Sequence, residues 1–324
     1  MLGNLKRNIT MQSAAAGRSP AGSSSPRPHL LALHGWRTSA SVLAQQLQRS
    51  GLYQLLSPVA ELTCLDAPHP ARGPPTSDVR RAFQPPFYEW WDAVQEGGAL
   101  RYVGVEDSLE LLASELRAAA AAGRPVAGLL GFSQGAILAG LAVKLQERGE
   151  RFQDVPPLRC AVLIAGGVVR DPAFSHLYGS SVGETAAAAT TTTTTSAGAA
   201  AHVAVAAATP VAAGAAAVPL SSCCPSCHLM GSADPLRGNS EKLLGLFRQP
   251  LVLRHDQGHV VPRLDSEQRR ELLEFLTSSL VHSPPPPPPP PPPQQQPLSS
   301  PGLVSALSGA AAATTAATAA TANL

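Results

Sequence analysis

The chain reads as an α/β protein with a mostly parallel sheet covered by helices on both faces. Three observations lead there. Short apolar runs of strand length alternate with longer runs of helix length, an order that calls for crossover connections. One strand-helix pair is joined by Gly131-Phe132-Ser133-Gln134-Gly135, a glycine-flanked serine turn. Other chemically suggestive residues also follow the C-terminal ends of expected strands, the edge where open α/β sheets bind ligands.

Leu30-Leu31-Ala32-Leu33 is the first expected strand, 30–33, and runs into His34-Gly35-Trp36 and a helix over 39–50. A strand over 61–65 and a helix over 106–122 follow. Phe87-Tyr88-Glu89-Trp90-Trp91 falls in the loop between them. Its aromatics are either an acyl-pocket wall or a core cluster beneath the loop. Val126-Ala127-Gly128-Leu129-Leu130 opens a buried strand over 126–131. The run from Ala136 to Val143 belongs to a buried helix over 134–148. Strands over 159–165 and 226–230, a helix over 239–248, a strand over 251–255 and a helix over 266–280 complete the order.

The serine turn is a weak signal by pattern alone, because Gly-x-Ser-x-Gly recurs at Gly179-Ser180-Ser181-Val182-Gly183. Context separates the two. Ser133 sits between a strand and a helix, where small flanking residues permit a sharp turn and the helix N-terminus favours developing negative charge. Ser181 leads into Ala/Thr low complexity and reads as a chance match.

A nucleophilic serine needs a base, an orienting acid and an oxyanion hole. In this architecture the chain order is Ser, Asp or Glu, then His. His259 is the base candidate, because Gly258 lets its loop fold back toward the serine. The bland reading is a surface-loop histidine. His255 competes but ends the strand itself. Asp234, beyond a strand ending at Met230, is the acid candidate, although Gly-Ser-Ala-Asp-Pro is also ordinary turn chemistry. Asp256 lies too near His259 in sequence, and Asp171 follows the wrong strand. The N–H groups of Gln134 and Trp36 are the expected oxyanion donors.

These pieces resemble the FSH-type serine hydrolases of the α/β-hydrolase superfamily. The resemblance rests on Leu33-His34-Gly35-Trp36, Asp66-Ala67-Pro68, Phe87-Tyr88-Glu89-Trp90-Trp91, Gly131-Phe132-Ser133-Gln134-Gly135-Ala136, Gly231-Ser232-Ala233-Asp234 and Gly258-His259-Val260-Val261-Pro262. They occur in family order across 29–280. Phe-Ser-Gln-Gly alone is shared with acyl-protein thioesterases and related carboxylesterases; the Asp-Ala-Pro and Trp-Trp segments point to the FSH type. The resemblance implies an α/β-hydrolase fold and an esterase or thioesterase with Ser133 as nucleophile, Asp234 as acid and His259 as base. It implies no cofactor. Phe87, Trp90 and Trp91 are substrate-pocket candidates. Two departures stand out: Ser221 to His228 replaces a clean apolar run before Asp234, and 178–219 is an Ala/Thr-rich insertion.

Composition bounds the rest. Residues 1–28 carry no acidic side chain, and the first acid is Glu61. The expectation for 1–28 is a disordered leader, with an organellar transit segment as the competing reading. Residues 283–324 hold ten consecutive prolines and then Gln and Ala/Thr repeats, too little apolar side chain to offset ordering entropy. Setting aside both tails and the insertion near 179–219 leaves one hydrolase domain within 29–282, roughly 210 residues. The proline run suits an SH3- or WW-type partner, or is a solvated spacer. A net charge of +2 argues against nucleic acid or a membrane surface. No window is apolar enough for a membrane span, so the expected location is cytoplasmic or nuclear. Among five cysteines, Cys64 and Cys160 read as core residues. Cys223, Cys224 and Cys227 lack the second pair that a zinc site needs.

The sequence therefore favours a small acyl ester or thioester as substrate. A site with few charges and no basic cluster suits an uncharged acyl group. The alternative is a catalytically dead hydrolase fold that recruits partners through its proline tail.

Overall fold

The computed structural model describes residues 8–11, 26–178 and 222–281. The second Gly-x-Ser-x-Gly match, the 179–219 insertion and the proline tail lie outside the described residues. In chain order the elements are β1 (Ile9–Thr10), β2 (His29–Leu33), α1 (Ala40–Ser50), α2 (Leu52–Leu56), β3 (Glu61–Leu65), β4 (His69–Pro70) and α3 (Ser77–Ala82). Next come β5 (Tyr88–Glu89), β6 (Asp92–Glu96), β7 (Ala99–Val103), α4 (Val105–Ala121), β8 (Val126–Phe132) and α5 (Gln134–Glu147). β9 (Cys160–Ile164), a 3₁₀ turn (Pro172–Leu177), β10 (Ser226–Gly231), α6 (Arg237–Leu244), β11 (Leu251–His255) and α7 (Ser266–Val281) complete it.

The main sheet has the order β1-β3-β2-β8-β9-β10-β11. All neighbours are parallel except β1, which runs antiparallel to β3. Side chains alternate across each strand, so the sheet feeds two cores. Leu31, Leu33, Leu129 and Leu163 join Leu109, Leu112 and Leu116 of α4 and much of α5 on one face. Leu30, Ala32, Leu130 and Val162 join α1, α2 and α7 on the other, with Leu43, Leu47, Leu272 and Leu276 at its centre. All seven residues of β8 are buried, as a central parallel strand requires.

The short elements α2, β4, α3 and β5 were not expected from sequence, α6 lies N-terminal of its expected 239–248, and two further departures bear on the sheet and the site. Residues 9–10, placed in the leader, pair with Cys64 and Thr63 of β3, and Met11 is buried against that edge. The loop expected between the second strand and its helix contains the antiparallel hairpin β6–β7. Gly97 and Gly98 turn it, with φ of 59° and 82°; left-handed values at both central positions match the right-handed twist of the strands. The last three residues of the irregular segment before Asp234, Ser226 to His228, open the fully buried strand β10, with Cys227 and Leu229 unexposed at its centre.

Candidate active site

β8 ends at Phe132 and α5 begins at Gln134, so Ser133 alone makes the turn. Its φ of 54° and ψ of −117° are strained for a residue with a Cβ, a conformation costing of order 1–3 kcal/mol. The surroundings hold it there. Ser133 N–H donates to the Ile164 carbonyl at 2.9 Å, and the Ser133 carbonyl accepts from Ala136 and Ile137 N–H at 3.0 and 3.1 Å. Gly131 and Gly135 are required by space. A Cβ on Gly131 would strike the backbone of Gly135 and Ala136, and one on Gly135 the carbonyl oxygens of Leu33 and His34.

A linear chain of hydrogen bonds leaves the serine. Ser133 Oγ lies 2.8 Å from His259 Nε2, and His259 Nδ1 lies 2.8 Å from Asp234 Oδ2. Asp234 follows β10, and its carboxylate is nearly fully buried. Its other oxygen accepts Leu236 N–H at 2.7 Å, which fixes the carboxylate plane. A carboxylate only accepts, so His259 carries its proton on Nδ1 and presents a lone pair to Ser133. Phe132 flanks the imidazole, with ring centroids 5.3 Å apart. The competing groups stand elsewhere. His255 is buried at the end of β11 with both ring nitrogens unpartnered, and burial lowers its pKa. Asp171 caps the 3₁₀ turn and accepts Tyr102 N–H at 2.7 Å.

His34-Gly35-Trp36 lies beside Ser133, and Gly35, Trp36 and Gln134 line the same cavity as Ser133 and His259. Gln134 opens α5, where its N–H has no carbonyl four residues back to meet. His34 is fully buried, and burial drives its pKa down to about 4. Its Nε2 accepts Ala67 N–H at 3.0 Å and its Nδ1 donates to the Gly35 carbonyl at 2.8 Å. That pair of roles belongs to the neutral ring. Asp66 accepts Ala40 N–H at 2.6 Å at the start of α1, so Asp66-Ala67 secures both ends of the His34 turn. Sequence reasoning saw Asp66-Ala67-Pro68 as a signature without this role.

The cavity over Ser133 measures about 880 Å³. Val79 and Phe83 from the α3 region, Trp91 and Tyr102 from the hairpin side, Ile137 and Val260 supply apolar lining. Of the three aromatic pocket candidates, only Trp91 reaches the cavity, stacked on Tyr102 with centroids 4.7 Å apart. Trp90 is wholly buried in the core, and its indole donates to the His34 carbonyl at 2.8 Å. Phe87 is half-buried and does not line the cavity. The lining also includes Arg49, Asp78, Arg170 and Arg263, so the expectation of few charges near the site is corrected. These residues are far apart in sequence and converge only through the fold.

The cysteines take structural places. Cys64 and Cys160 are buried, and burial pushes both thiols up to about 12. Cys227 is inside β10, and the N–H groups of Cys223 and Cys224 both donate to Glu147. Among the described residues, no helix is long and apolar enough to cross a membrane.

Residues 24–270 match the family model "Serine hydrolase (FSH1)". Human esterase OVCA2 is 28% identical over 262 residues, covering 76% of this chain and 94% of the human protein. Esterase AAEL000016 of Aedes aegypti is 26% identical over 277 residues, covering 83% and 82%. Among solved structures, Zea mays acyl-protein thioesterase 2 aligns with a TM-score of 0.49 at 18% identity, over 85% of this chain and 99% of that one. With a family model matched over most of its length and a serine turn at the edge of a largely parallel sheet, the chain belongs to the FSH1 serine hydrolase family and has the α/β-hydrolase fold.

Proposed function

We propose that this protein hydrolyses carboxylic esters or acyl thioesters by two-step acyl transfer to water. The observation that carries the reading is the unbroken chain Ser133–His259–Asp234, with both links at 2.8 Å, opening on a largely apolar cavity. His259 Nε2 takes the Ser133 proton as Oγ attacks the acyl carbonyl. Charge moves to the carbonyl oxygen, where the N–H groups of Trp36 and Gln134 receive it. Asp234 holds the Nδ1–H tautomer and stabilises the imidazolium. Collapse expels an alcohol or thiol, which leaves with the proton from His259. Water then attacks the acyl-enzyme, giving its proton to His259, and the acid departs as Ser133 is reprotonated.

The reading needs only the 29–282 domain, joined at its sheet edge by Ile9–Thr10. A dead site, as the binding-module alternative requires, would leave Asp234 away from His259; the irregular segment instead runs into β10, and Asp234 beyond that strand reaches His259, which supports the enzyme. The test is hydrolysis of nitrophenyl esters and acyl thioesters of graded chain length by the protein and by Ser133→Ala. Turnover by the first and its loss in the second is expected. Equal rates in both would overturn the reading.

A further inference from the structure

We propose that residues 88–91 are a brace that sets the two oxyanion donors against each other, with Trp90 and Gln134 as its positioning residues. The inference rests on the reading of Trp36 and Gln134 N–H as those donors. The donors come from different elements: one from the turn after β2, the other from the start of α5. Their separation must be held within about half an ångström for an oxyanion to meet both. Something must therefore tie the turn to the helix.

Every residue of the segment 88–91 bonds to the turn side or to the helix, and Trp90 bonds to both. Tyr88 N–H donates to the Thr38 carbonyl at 2.6 Å. Glu89, fully buried, accepts Arg37 Nε at 3.0 Å and Arg72 N–H at 3.2 Å. Arg37 follows Trp36 directly and has a φ of 51°, so this pair restrains a strained residue next to the donor. The Trp90 indole N–H donates to the His34 carbonyl at 2.8 Å. Trp90 N–H donates to Gln134 Oε1 at 3.1 Å, and Gln134 Nε2 donates to the Trp91 carbonyl at 2.8 Å. The Gln134 side chain thus grips the brace with both ends of its amide, while its backbone N–H serves the oxyanion. Ser108 Oγ donates to the Trp90 carbonyl from α4 and holds the brace from behind.

The turn is clamped from its own side as well. The Gly35 carbonyl accepts from Thr38 Oγ1 at 2.7 Å and from the His34 ring at 2.8 Å. In a trans peptide the next N–H points opposite that carbonyl. Holding the Gly35 oxygen therefore aims the Trp36 N–H. The brace and the clamp fix the two faces of one peptide turn, which is why a buried tryptophan stands here rather than another apolar residue.

Trp90→Phe removes the indole donor and keeps an aromatic ring. Gln134→Met keeps length and bulk and removes both amide bonds. Kinetics are measured on the full chain, normalised to active sites titrated with a fluorophosphonate. A trifluoromethyl ketone, which becomes a tetrahedral oxyanion on Ser133, is compared with a non-reactive amide of the same acyl chain. Loosening a donor by a fraction of an ångström is expected to lower kcat per site about 10- to 100-fold with KM within about twofold. Ketone affinity should fall in step with kcat, and amide affinity should hold. Unchanged kcat per site with a lowered Tm would reduce the brace to ordinary core and overturn the proposal. A raised KM with unchanged kcat would make Trp90 a pocket residue and do the same. If Trp90→Phe does not fold, Gln134→Met and Thr38→Val carry the test. Failure of the wild type to react with the fluorophosphonate would remove the functional reading and the brace together; reaction with wild-type-like variants removes the brace alone.

Discussion

Asp234→Asn is the sharpest substitution in the site, because the carboxylate serves two donors at once. One oxygen accepts Leu236 N–H at 2.7 Å and the other faces His259 Nδ1 at 2.8 Å. An asparagine has one carbonyl oxygen for those two places. If that oxygen stays with Leu236, the amide NH₂ faces Nδ1 and drives the imidazole proton to Nε2. His259 then points an N–H at Ser133 and cannot take its proton. If the amide turns over, the part-buried N–H of Leu236 loses its acceptor, at a cost of about 1 kcal/mol. The first route keeps both hydrogen bonds and is therefore the favoured one, and it defeats the site. A wrong tautomer lowers kcat about 10⁴-fold, or ~5 kcal/mol of transition-state stabilisation. The assay is steady-state turnover of a nitrophenyl ester with the thermal midpoint measured alongside. The expected result is a loss near 10⁴ in kcat with a midpoint shift of a few degrees. A folded Asp234→Asn protein within tenfold of wild type would refute this role for Asp234.

Four further outcomes are expected. His34 and His228 are both held near a pKa of about 4 by burial, against 6.5 when unfolded, so the unfolded chain binds their protons first as pH falls. Stability is therefore intact above pH 6.5 and declines between 6.5 and 4, by ~3 kcal/mol for each ring; a urea midpoint flat across that window would contradict it. Deleting residues 1–25 removes β1 and the buried Met11, which should lower stability by about 1–3 kcal/mol while activity per folded molecule stays within a few-fold. Deleting 283–324 should change neither, and a collapse of activity would place part of the site in the tail. Ser181→Ala should hydrolyse esters at nearly the wild-type rate, and an inactive Ser181→Ala would reopen the choice between the two serine motifs.

The parts of this fold legible in sequence are those where local pattern and burial agree. β2, β3, β8, α4, α5 and α7 fall within a residue or two of expectation because each is a continuous apolar or amphipathic run inside the sheet or directly on it. The hairpin β6–β7 was missed although Gly97-Gly98 is a turn signal. Its strands Asp92–Glu96 and Ala99–Val103 are largely part-exposed and carry a weak apolar alternation. β1 was missed because two residues have no periodicity; its pairing with β3 and the burial of Met11 are tertiary facts. In the site, Ser133, Asp234 and His259 were readable from loop position after three different strands, and the structure brings those three together. Trp90 was not. Its position among aromatics suggested a pocket wall, whereas its place depends on a carbonyl 56 residues away. Arg49, Arg170 and Arg263 were invisible as a group for the same reason: no local spacing relates them.

If Ser133 is the nucleophile, a reagent that traps activated serines must bond to it. The full-length protein is incubated with a fluorophosphonate, digested, and the adduct located by mass spectrometry. One adduct is expected, on Ser133, with loss of ester hydrolysis in proportion to labelling, and no adduct in Ser133→Ala. An adduct on Ser181 with Ser133 unmodified, or full ester hydrolysis by the unlabelled Ser133→Ala protein, would contradict Ser133 as the nucleophile.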